Sequence, residues 1–471
     1  MNLDVAVVGA GVAGTRVAHA IQRERPDWSI ALFERTERIG GRLRSLQVAG
    51  VDHPIELGGM RFLTSHRRVA DLVETLGIPT HAFDRTGSAH ERSYLRGIVG
   101  RGADDHGAER AYALAPEQRG RSAAELAMLA FERIVPGFQQ FDHDAYARWR
   151  ATGELLDRPV TTWAIGEALE RLLGDEGRRF VTDSFGYDSG MRAFCAPDLV
   201  EFLFDGGDPA AQARTPDDGM ERIPQEIAAG FRTMGGHVLF GYTLASLDLG
   251  VQAVRLQFTN GEAISTRRVV LATPQPALRL LASASEVLRA PPLHEVIESV
   301  EGFPAMKLYL WYERPWWRPA VAAIRTTTDL PIRKTFYFEG EPGSHSVLLA
   351  MYTDGLDVRV WLDMYDGGSP GSPAPSAMLA EVERQLRESH PAVDEIPAPL
   401  DSSLTYWGSD PHEVGWHFWR AGVNSDRILE RAPQPDPDLP IYLANEAFSR
   451  RQSWVEGALE AADATVERLL A

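Results

Sequence analysis

Three glycines near the amino terminus have the spacing of a phosphate-binding turn. Gly9, Gly11 and Gly14 form a Gly-x-Gly-x-x-Gly pattern. In such a pattern the first glycine permits a tight turn, the second lets the backbone approach a pyrophosphate, and the third lets a helix pack closely on a strand. The free N–H groups at the start of that helix bind the anion. The pattern therefore indicates dinucleotide binding.

A carboxylate lies where it can bind the ribose of such a ligand. Glu34 follows Gly14 by 20 residues and ends an apolar segment, residues 29–33. About 20 residues is the spacing at which a carboxylate meets a ribose hydroxyl. The elements that must position these groups are a strand at residues 4–8, a helix after the glycines and a second strand at residues 29–33. An ordinary strand–helix–strand turn is the alternative interpretation.

The size and charge of the chain limit the classes of function. With 471 residues and 44% hydrophobic residues, it is long enough for two or three domains with large cores. The net charge of -18 argues against a nucleic-acid partner, because such partners need a concentrated basic surface. We interpret the charge as an acidic, solvated exterior.

Cysteine content and hydropathy bear on the compartment. Cys195 is the only cysteine, so no intrachain disulfide can form, and a reducing compartment is compatible. The chain shows neither a basic leader nor an apolar run of about 18 residues. We therefore predict a cytoplasmic protein without a membrane span, and we predict no metal site.

The segment after Glu34 resembles the flavin amine oxidases. Residues 34–45 contain the pair Gly40 and Gly41 followed by Arg42, and in that family paired glycines and an arginine approach the FAD. The resemblance implies an α/β fold with a Rossmann-like FAD-binding domain of the GR2 type, an α+β substrate domain and a helical insertion. It also favours FAD over NAD. The alternative for Arg42 and for Arg44 is solvated surface charge.

The carboxyl terminus resembles another part of the same family. Residues 441–459 look like the strand, acidic turn and helix that meet the flavin. The resemblance implies that Glu446 contacts the ribityl or phosphate region, that Val455 offers its N–H to the isoalloxazine, and that Trp454 walls the substrate site. A core aromatic is the alternative for Trp454. Two residues depart from the family pattern, because Asn445 and Ser453 stand where glycine is usual.

The middle of the chain supplies the strands that return to the FAD domain. Residues 218–224 and 236–274 contain alternating strands, an Asn-Gly turn and an Ala-Thr-Pro end, as in the family, and Leu244 is expected to contact FAD. The predicted domains follow from these segments. They are an FAD-binding domain at 1–60, 216–280 and 432–471, a substrate domain at 61–110 and 281–431, and a helical domain at 111–215.

A Gly-x-Met-Arg segment indicates whether the substrate carries a carboxylate. Gly58, Gly59, Met60 and Arg61 resemble the segment of L-amino acid oxidases that runs along the flavin, where the arginine forks onto the substrate carboxylate. A guanidinium suits that task because its parallel N–H donors match two carboxylate oxygens. A structural ion pair is the alternative for Arg61. By a similar resemblance of residues 327–337, Tyr337 would share the carboxylate, or else be an ordinary strand residue.

Two further segments complete the expected site. Lys307 lies in a segment that resembles the strand whose lysine reaches flavin N5 through a water, where its charge would favour electron transfer to oxygen. Residues 415–419 precede the last FAD strand, where the family builds the wall of the substrate site. His417 and Trp419 are therefore candidate wall residues, although a core position is equally compatible.

The resulting hypothesis is oxidative deamination of an L-amino acid. Hydride transfer from Cα to flavin N5, with oxygen as the acceptor, would give a 2-oxo acid, ammonia and hydrogen peroxide. We expect non-covalent FAD, since the carboxyl-terminal third has no cysteine for a thioether, and a homodimer, as is usual for the family. The alternatives are an amine or polyamine oxidase, an amino acid dehydrogenase or monooxygenase, and a non-enzymatic flavin-binding protein.

The preferred side chain stays open at this point. Acidic residues can receive a basic side chain, and tryptophans an aromatic one. The acidic candidates are Asp205, Asp208, Asp217 and Glu413. The aromatic candidates are Trp416, Trp419 and Trp454.

Overall fold

The computed structural model describes residues 2–84, 91–204 and 211–471. The strands in chain order are β1 Asn2–Val8, β2 Ile30–Phe33, β3 Ser45–Leu46, β4 Ile55–Glu56, β5 Phe62–Leu63, β6 Thr80–Ala82, β7 Glu91–Leu95, β8 Ile98–Gly100, β9 Glu154–Leu155, β10 Arg158–Pro159, β11 Ala213–Pro216, β12 His237–Leu239, β13 Leu244–Leu249, β14 Val254–Phe258, β15 Ala263–Leu271, β16 Val300–Phe303, β17 Ala305–Tyr312, β18 Arg325–Thr328, β19 Lys334–Phe338, β20 Ser346–Asp354, β21 Asp401–Trp407, β22 Trp416–Trp419 and β23 Ile441–Leu443. The α-helices are α1 Val12–Glu24, α2 Arg67–Thr75, α3 Ala123–Ile134, α4 His143–Thr152, α5 Ile165–Phe185, α6 Asp188–Arg192, α7 Ala196–Phe204, α8 Arg222–Thr233, α9 Gln275–Ala284, α10 Pro291–Glu298, α11 Arg359–Leu362, α12 Ser376–Ser389, α13 Ser425–Arg431 and α14 Val455–Leu470.

The first large sheet is built around the amino-terminal strand. Its order is β12-β2-β1-β15-β14-β13, with β23 also paired to β15. The strands β12, β2, β1, β15 and β23 pair in parallel, whereas β14 pairs antiparallel with both β13 and β15. Buried apolar side chains such as Val5, Val7 and Val17 join β1 to α1 in one core cluster. The carboxyl ends of the parallel strands consequently meet at one edge, which is where open α/β sheets bind their ligands.

The expected local elements at both ends of this sheet are present. The first strand begins at Asn2, two residues before the predicted start, and the second runs over Ile30–Phe33. Asn260 and Gly261 lie in the turn between β14 and β15, where Gly261 has a φ of +89°. Only glycine adopts such a backbone conformation without strain, which is why an Asn-Gly pair indicates a hairpin.

The second large sheet has the order β21-β17-β20-β19-β18-β7-β8. Neighbouring strands are antiparallel except for the parallel pair β18 and β7. One face packs on α12 in an apolar cluster that includes Trp317, Trp361 and Leu386. The other face, which carries Lys307 and Tyr352, turns toward the first sheet. The side-chain alternation of the strands therefore decides which residues reach the space between the sheets.

Helices occupy the part of the chain between β8 and β11. The helices α3 to α7 pack in a cluster of buried side chains that includes Leu126, Phe180 and Leu199. The strands of the first sheet come from residues 2–33, 237–271 and 441–443, and those of the second from residues 91–100 and 305–407. The exact domain limits given above stay predictions.

No helix in the described ranges is long and apolar enough to cross a membrane. Within the same ranges, no group of histidine, cysteine, aspartate and glutamate side chains is arranged to hold a metal ion.

Candidate active site

A deep cleft runs from the carboxyl edge of the first sheet to the inner face of the second. It contains about 1740 Å³ of space free of protein atoms, its open mouth included. The glycine turn after β1 lines one end, and Lys307 and Tyr352 line the other.

The glycine turn has the geometry that phosphate binding requires. Gly9 has a φ of +106°, and an added Cβ would lie 2.6 Å from the carbonyl oxygen of Ala272. At Gly14 an added Cβ would lie 1.8 Å from the oxygen of Gly9, so this glycine permits close packing of helix on strand. Gly11 lines the cleft directly before α1, whose first amides have no side-chain cap. These amides are available to an anionic ligand.

Glu34 is fixed beside the glycine turn. Its Oε2 accepts a hydrogen bond of 2.9 Å from the amide of Ala10. Its Oε1 accepts bonds of 2.9 and 2.8 Å from the amide and hydroxyl of Thr36. The carboxylate is only 7% exposed and lines the cleft. Because Oε2 can accept a second hydrogen bond, this arrangement is suited to a ribose hydroxyl.

An ion pair between the half-buried Arg42 and the buried Glu446 connects the two halves of the cleft wall. Arg42 donates a hydrogen bond of 2.5 Å to Glu446 Oε2, and both residues line the cleft. His417 Nε2 accepts from the amide of Gln275 at 3.2 Å, so its Nδ1 carries the proton and donates to Glu446 Oε1 at 2.9 Å. Burial alone would raise the pKa of Glu446, but Arg42 and His417 hold it below its usual range. Glu446 is therefore an anion, oriented on both oxygens.

The amino terminus of α14 points at the same space. Trp454 precedes the helix, Val455 begins it, and both line the cleft. Ser453 has a φ of +67°, a left-handed conformation that costs a non-glycine residue roughly 1 kcal/mol or more. This is one of the positions where the sequence departs from the family glycine. At the other, Asn445 donates to the oxygen of Thr273 and accepts from the amide of Ala447.

Arg61 projects into the far end of the cleft and pairs with no carboxylate in the part of the chain that the structure describes. Its guanidinium carbon lies 4.9 Å from the ring centre of Phe83, 5.7 Å from Phe336 and 5.9 Å from Trp454. Its Nη1 is buried and has no hydrogen-bond partner within residues 2–84, 91–204 and 211–471. Burial lowers the pKa of the guanidinium from its ordinary value. A buried cation with unused donors is costly unless a ligand supplies the partner.

Lys307 adds a second buried cation at this end. Its Nζ donates to the backbone oxygens of Glu56 at 3.1 Å and Gly58 at 2.5 Å, and it lies 4.7 Å from the ring centre of Tyr352. Burial lowers the pKa of Lys307 to about 7, although the nearby Glu56 carboxyl opposes the change. Burial also raises the pKa of the Glu56 carboxyl to about 7. The ammonium keeps one N–H for a group in the cleft.

Most of the predicted cofactor residues surround this cleft. Those that line it are Gly9, Gly11, Glu34, Gly41, Arg42, Gly58, Gly59, Arg61, Leu244, Glu446, Trp454 and Val455. Gly14 is buried behind the turn, as its packing role requires. Met60 does not line the cleft, because its side chain is 7% exposed and packs among Tyr309, Phe336 and Leu349.

The expected contact between Tyr337 and the substrate carboxylate is wrong. Its hydroxyl is buried on the opposite face of the second sheet, 2.6 Å from Thr326 Oγ1 and 2.6 Å from His390 Nε2. The physical reason is strand alternation, since Phe336 rather than Tyr337 points toward Arg61. The structure thus places a ring without a hydroxyl beside the guanidinium.

The expected wall residues His417 and Trp419 also lie outside the cleft. His417 is fully buried between Glu446 and Gln275, and Trp419 is 3% exposed within the largest apolar cluster. Trp416, at the start of β22, does line the cleft. Its indole N–H donates to Ser189 Oγ at 2.9 Å. Adjacent side chains of β22 point to opposite faces, so Trp416 reaches the cleft and His417 does not.

Two tyrosines at the far end lie in no recognised motif. Tyr352 lines the cleft, and Tyr187 packs edge-on against Tyr352 and Trp416, with ring centres 5.4 and 5.8 Å apart. The register of β20 with β17, which pairs Tyr352 with Lys307, is the signal that could have identified Tyr352.

The predicted acidic side-chain receptors are engaged elsewhere. Asp217 binds His81 at 2.7 Å, and Glu413 pairs with Arg35. Asp205 and Asp208 lie outside the described residues. The structure therefore offers no described carboxylate to a basic substrate side chain at the Arg61 end of the cleft.

Comparisons with known proteins agree with this geometry. The family model described as flavin containing amine oxidoreductase matches residues 13–470. Aplysianin-A of Aplysia kurodai is 26% identical over 99% of this chain and 90% of its own. A flavin-dependent L-tryptophan oxidase of Lentzea aerocolonigenes is 27% identical over 99% and 97%, and an L-amino-acid oxidase of Mus musculus is 24% identical over 97% and 69%. A putrescine oxidase structure with bound putrescine shares the fold, with a TM-score of 0.74, 16% identity and coverage of 100% and 99%.

Proposed function

The chain belongs to the flavin-containing amine oxidoreductase family, and we propose that it is an FAD-dependent L-amino acid oxidase. The reaction converts an L-amino acid, water and oxygen into a 2-oxo acid, ammonia and hydrogen peroxide. The observation that carries this proposal is Arg61, which lines the cleft and whose buried Nη1 has no hydrogen-bond partner among the described residues. Homology to L-amino acid oxidases supports the same substrate class.

The residues of the cleft fit an FAD molecule. The glycine turn and the uncapped start of α1 suit its pyrophosphate, and Glu34 suits the ribose. The charged pair of Arg42 and Glu446 and the amide of Val455 are available to the rest of the cofactor. When bound, FAD would supply a hydride acceptor that oxygen can reoxidise. Cys195 is buried outside the cleft, where its thiol donates a hydrogen bond to the backbone oxygen of Thr161. This position supports non-covalent binding of FAD, without a thioether.

The chain's own groups orient the substrate and control charge. Arg61 binds the α-carboxylate with a planar fork, which restricts the rotation of the amino acid. The aromatic rings of Tyr352, Trp416 and Trp454 form walls that exclude water around the reacting carbon. Lys307 holds a proton and a positive charge near the oxygen-reactive end of the site, where negative charge develops. No side-chain base is needed if the amine enters in its neutral form.

A diamine oxidase is the second candidate, because a putrescine oxidase has the same fold. The far end of the described cleft disfavours it. Arg61 and Lys307 line that end, whereas the acidic lining residues Glu34, Glu413 and Glu446 lie elsewhere and have partners in the protein. Two ammonium groups of a diamine would meet like charge there.

Anaerobic bleaching of the flavin tests the proposal directly. The purified holoenzyme is mixed without oxygen with each of the twenty L-amino acids, with their decarboxylated amines and with putrescine. At least one L-amino acid should bleach the flavin, and its amine should not. Bleaching by putrescine or by simple amines alone would refute the proposal. Peroxide yield and identification of a 2-oxo acid rather than an amide then separate an oxidase from a dehydrogenase or monooxygenase.

Three further properties belong to this proposal. We propose a homodimer, a cytoplasmic location and oxygen as the electron acceptor. Acid precipitation should release all FAD into the supernatant, whereas colour in the pellet would indicate covalent attachment. Sedimentation of the holoenzyme measures its oligomeric state.

A further inference from the structure

A second lysine lies on the same sheet face as Lys307. In the registers of the second sheet, Tyr352 of β20 pairs with Lys307 of β17 on one side and with Lys334 of β19 on the other. Paired residues of adjacent strands project on the same face. Lys307 and Tyr352 both line the cleft, so Lys334 projects from the cleft-facing side of the sheet.

Lys334 is buried and forms no ion pair with an acidic side chain of the described residues. Lys334 is only 6% exposed, and its Nζ lies 4.5 Å from the ring centre of Tyr187. Among the described residues, Lys334 makes neither a hydrogen bond nor an ion pair through Nζ. Tyr187 in turn packs against Tyr352 and Trp416, which line the cleft. The Nζ of Lys334 therefore lies against Tyr187, next to the aromatic residues Tyr352 and Trp416 that line the substrate end of the cleft.

The neighbouring cations all have partners. Arg325 pairs with Glu91, and Arg333 pairs with Asp183 and Asp357. Lys307 forms no ion pair either, but it donates to two backbone oxygens. Arg61 and Lys334 are the two cations of this region that have neither an ion pair nor a hydrogen bond among the described residues. Burial, and then the charges of Arg325 and Arg61, lower the pKa of Lys334 well below its usual value. The charge of Glu91 opposes this change only in part. A bound anion would favour the charged form of Lys334 and supply the ion-pair partner that it lacks among the described residues.

We propose that Lys334 binds a second carboxylate of the substrate, so that the enzyme acts on dicarboxylic L-amino acids, glutamate or aspartate. This inference rests on the proposed oxidase function and assigns its substrate class. Arg61 holds the α-carboxylate, and Lys334 holds the carboxylate of the side chain. The charges match, since a dicarboxylate with a neutral amine carries two negative charges for two unpaired cations.

The spacing on the sheet suits such a ligand. Phe336 and Lys334 project from the same face of β19, two residues apart, which corresponds to about 7 Å along the strand. The guanidinium of Arg61 lies 5.7 Å from the ring centre of Phe336. With a charge-assisted hydrogen bond of about 2.8 Å at each end, a chain of four or five carbons can bridge the two cations.

Paired substrates that differ only in charge provide the test. The holoenzyme should oxidise L-glutamate or L-aspartate with a kcat/KM roughly 10- to 100-fold above that for L-glutamine or L-asparagine, the range for one hydrogen bond to a charged group. Lys334→Met should remove that preference and leave kcat/KM for the amides within about threefold. Lys334→Arg, which keeps a cation, should retain part of the preference.

Binding of unreactive acids gives a readout that does not depend on turnover. Glutarate and butyrate are titrated into the holoenzyme, and the change of the flavin spectrum gives each dissociation constant. Glutarate should bind at least about tenfold more tightly than butyrate to the wild type and equally to Lys334→Met. Arg61→Met, as the matched control, should weaken the binding of both acids.

The outcomes separate this inference from the function on which it rests. Oxidation of neutral amino acids with no preference for acidic ones would overturn the role of Lys334 and leave the oxidase proposal intact. An equal loss on glutamate and glutamine in Lys334→Met, with normal folding and flavin content, would also overturn it, because Lys334 would then act on the α-carboxylate or on the structure. Failure of every L-amino acid to bleach the flavin would overturn both.

Discussion

Replacing Arg61 by methionine removes the guanidinium fork and keeps an unbranched side chain of similar length. If the fork donates two charge-assisted hydrogen bonds of about 1.5–3 kcal/mol each, the variant loses about 3–6 kcal/mol of transition-state stabilisation. At about 1.4 kcal/mol per tenfold change, kcat/KM for an L-amino acid should fall roughly a hundredfold to ten-thousandfold. The assay is peroxide release at several substrate concentrations, with flavin content measured for each preparation.

The same substitution should not destabilise the protein. Arg61 gains from its aromatic neighbours, but cation–π contacts supply only about 0.5–2 kcal/mol, whereas desolvation of an unpaired ion costs several kcal/mol. We therefore expect Arg61→Met to have a thermal midpoint equal to or above that of the wild type. Arg61→Lys keeps the charge without the fork and should show an intermediate kcat/KM.

Two results would refute this reasoning. A fall of less than threefold in kcat/KM would mean that Arg61 does not bind the carboxylate. A marked loss of stability together with an equal loss on a substrate and on its decarboxylated amine would mean that Arg61 has a structural role.

Three other predictions concern neighbouring residues. Lys307→Met should slow the reaction of reduced flavin with oxygen at least about tenfold. In the wild type this rate should fall as the pH rises through about 7, because the Lys307 ammonium loses its proton there. Glu56→Gln should move the midpoint of that profile to lower pH, since the Glu56 charge raises the pKa of Lys307. Tyr337→Phe should leave the KM for every amino acid unchanged and cost about 1–3 kcal/mol of unfolding free energy, since Thr326 and His390 lose a buried partner; a raised KM would contradict its position. His417→Phe should weaken FAD binding without changing the ratio of kcat/KM between two amino acids, because His417 orients Glu446. An altered ratio would mean that His417 contacts the substrate after all.

The fold and the cofactor end of the cleft were largely predictable from the sequence. Gly9 and Gly11 act through the backbone, and Glu34 is recognised by its spacing from them. Both signals are local, so a linear sequence shows them. The resemblance alone indicated that Glu446 and Arg42 both approach the cofactor, and the structure shows that they also pair with each other. His417, which donates to the other oxygen of Glu446, was predicted at the substrate wall instead, because nothing in the sequence shows which face of β22 meets Glu446.

The substrate end depends on strand parity and register, which the sequence specifies only weakly. Tyr337 and Phe336 are adjacent, and a shift by one residue reverses the face to which a side chain points. The row of Lys307, Tyr352 and Lys334 joins three strands that are distant along the chain, so no local motif indicates it. These lysines are unusual because they are buried, and only the three-dimensional structure shows that they are.

A crystal structure of the flavin-loaded protein with an L-amino acid, obtained without oxygen, tests the central claim most directly. The account predicts that both oxygens of the α-carboxylate lie within hydrogen-bond distance of the Arg61 guanidinium, with Nη1 among the donors, and that the Cα hydrogen faces the flavin. A substrate carboxylate bound elsewhere in the cleft, with Arg61 paired to a protein carboxylate instead, would contradict it.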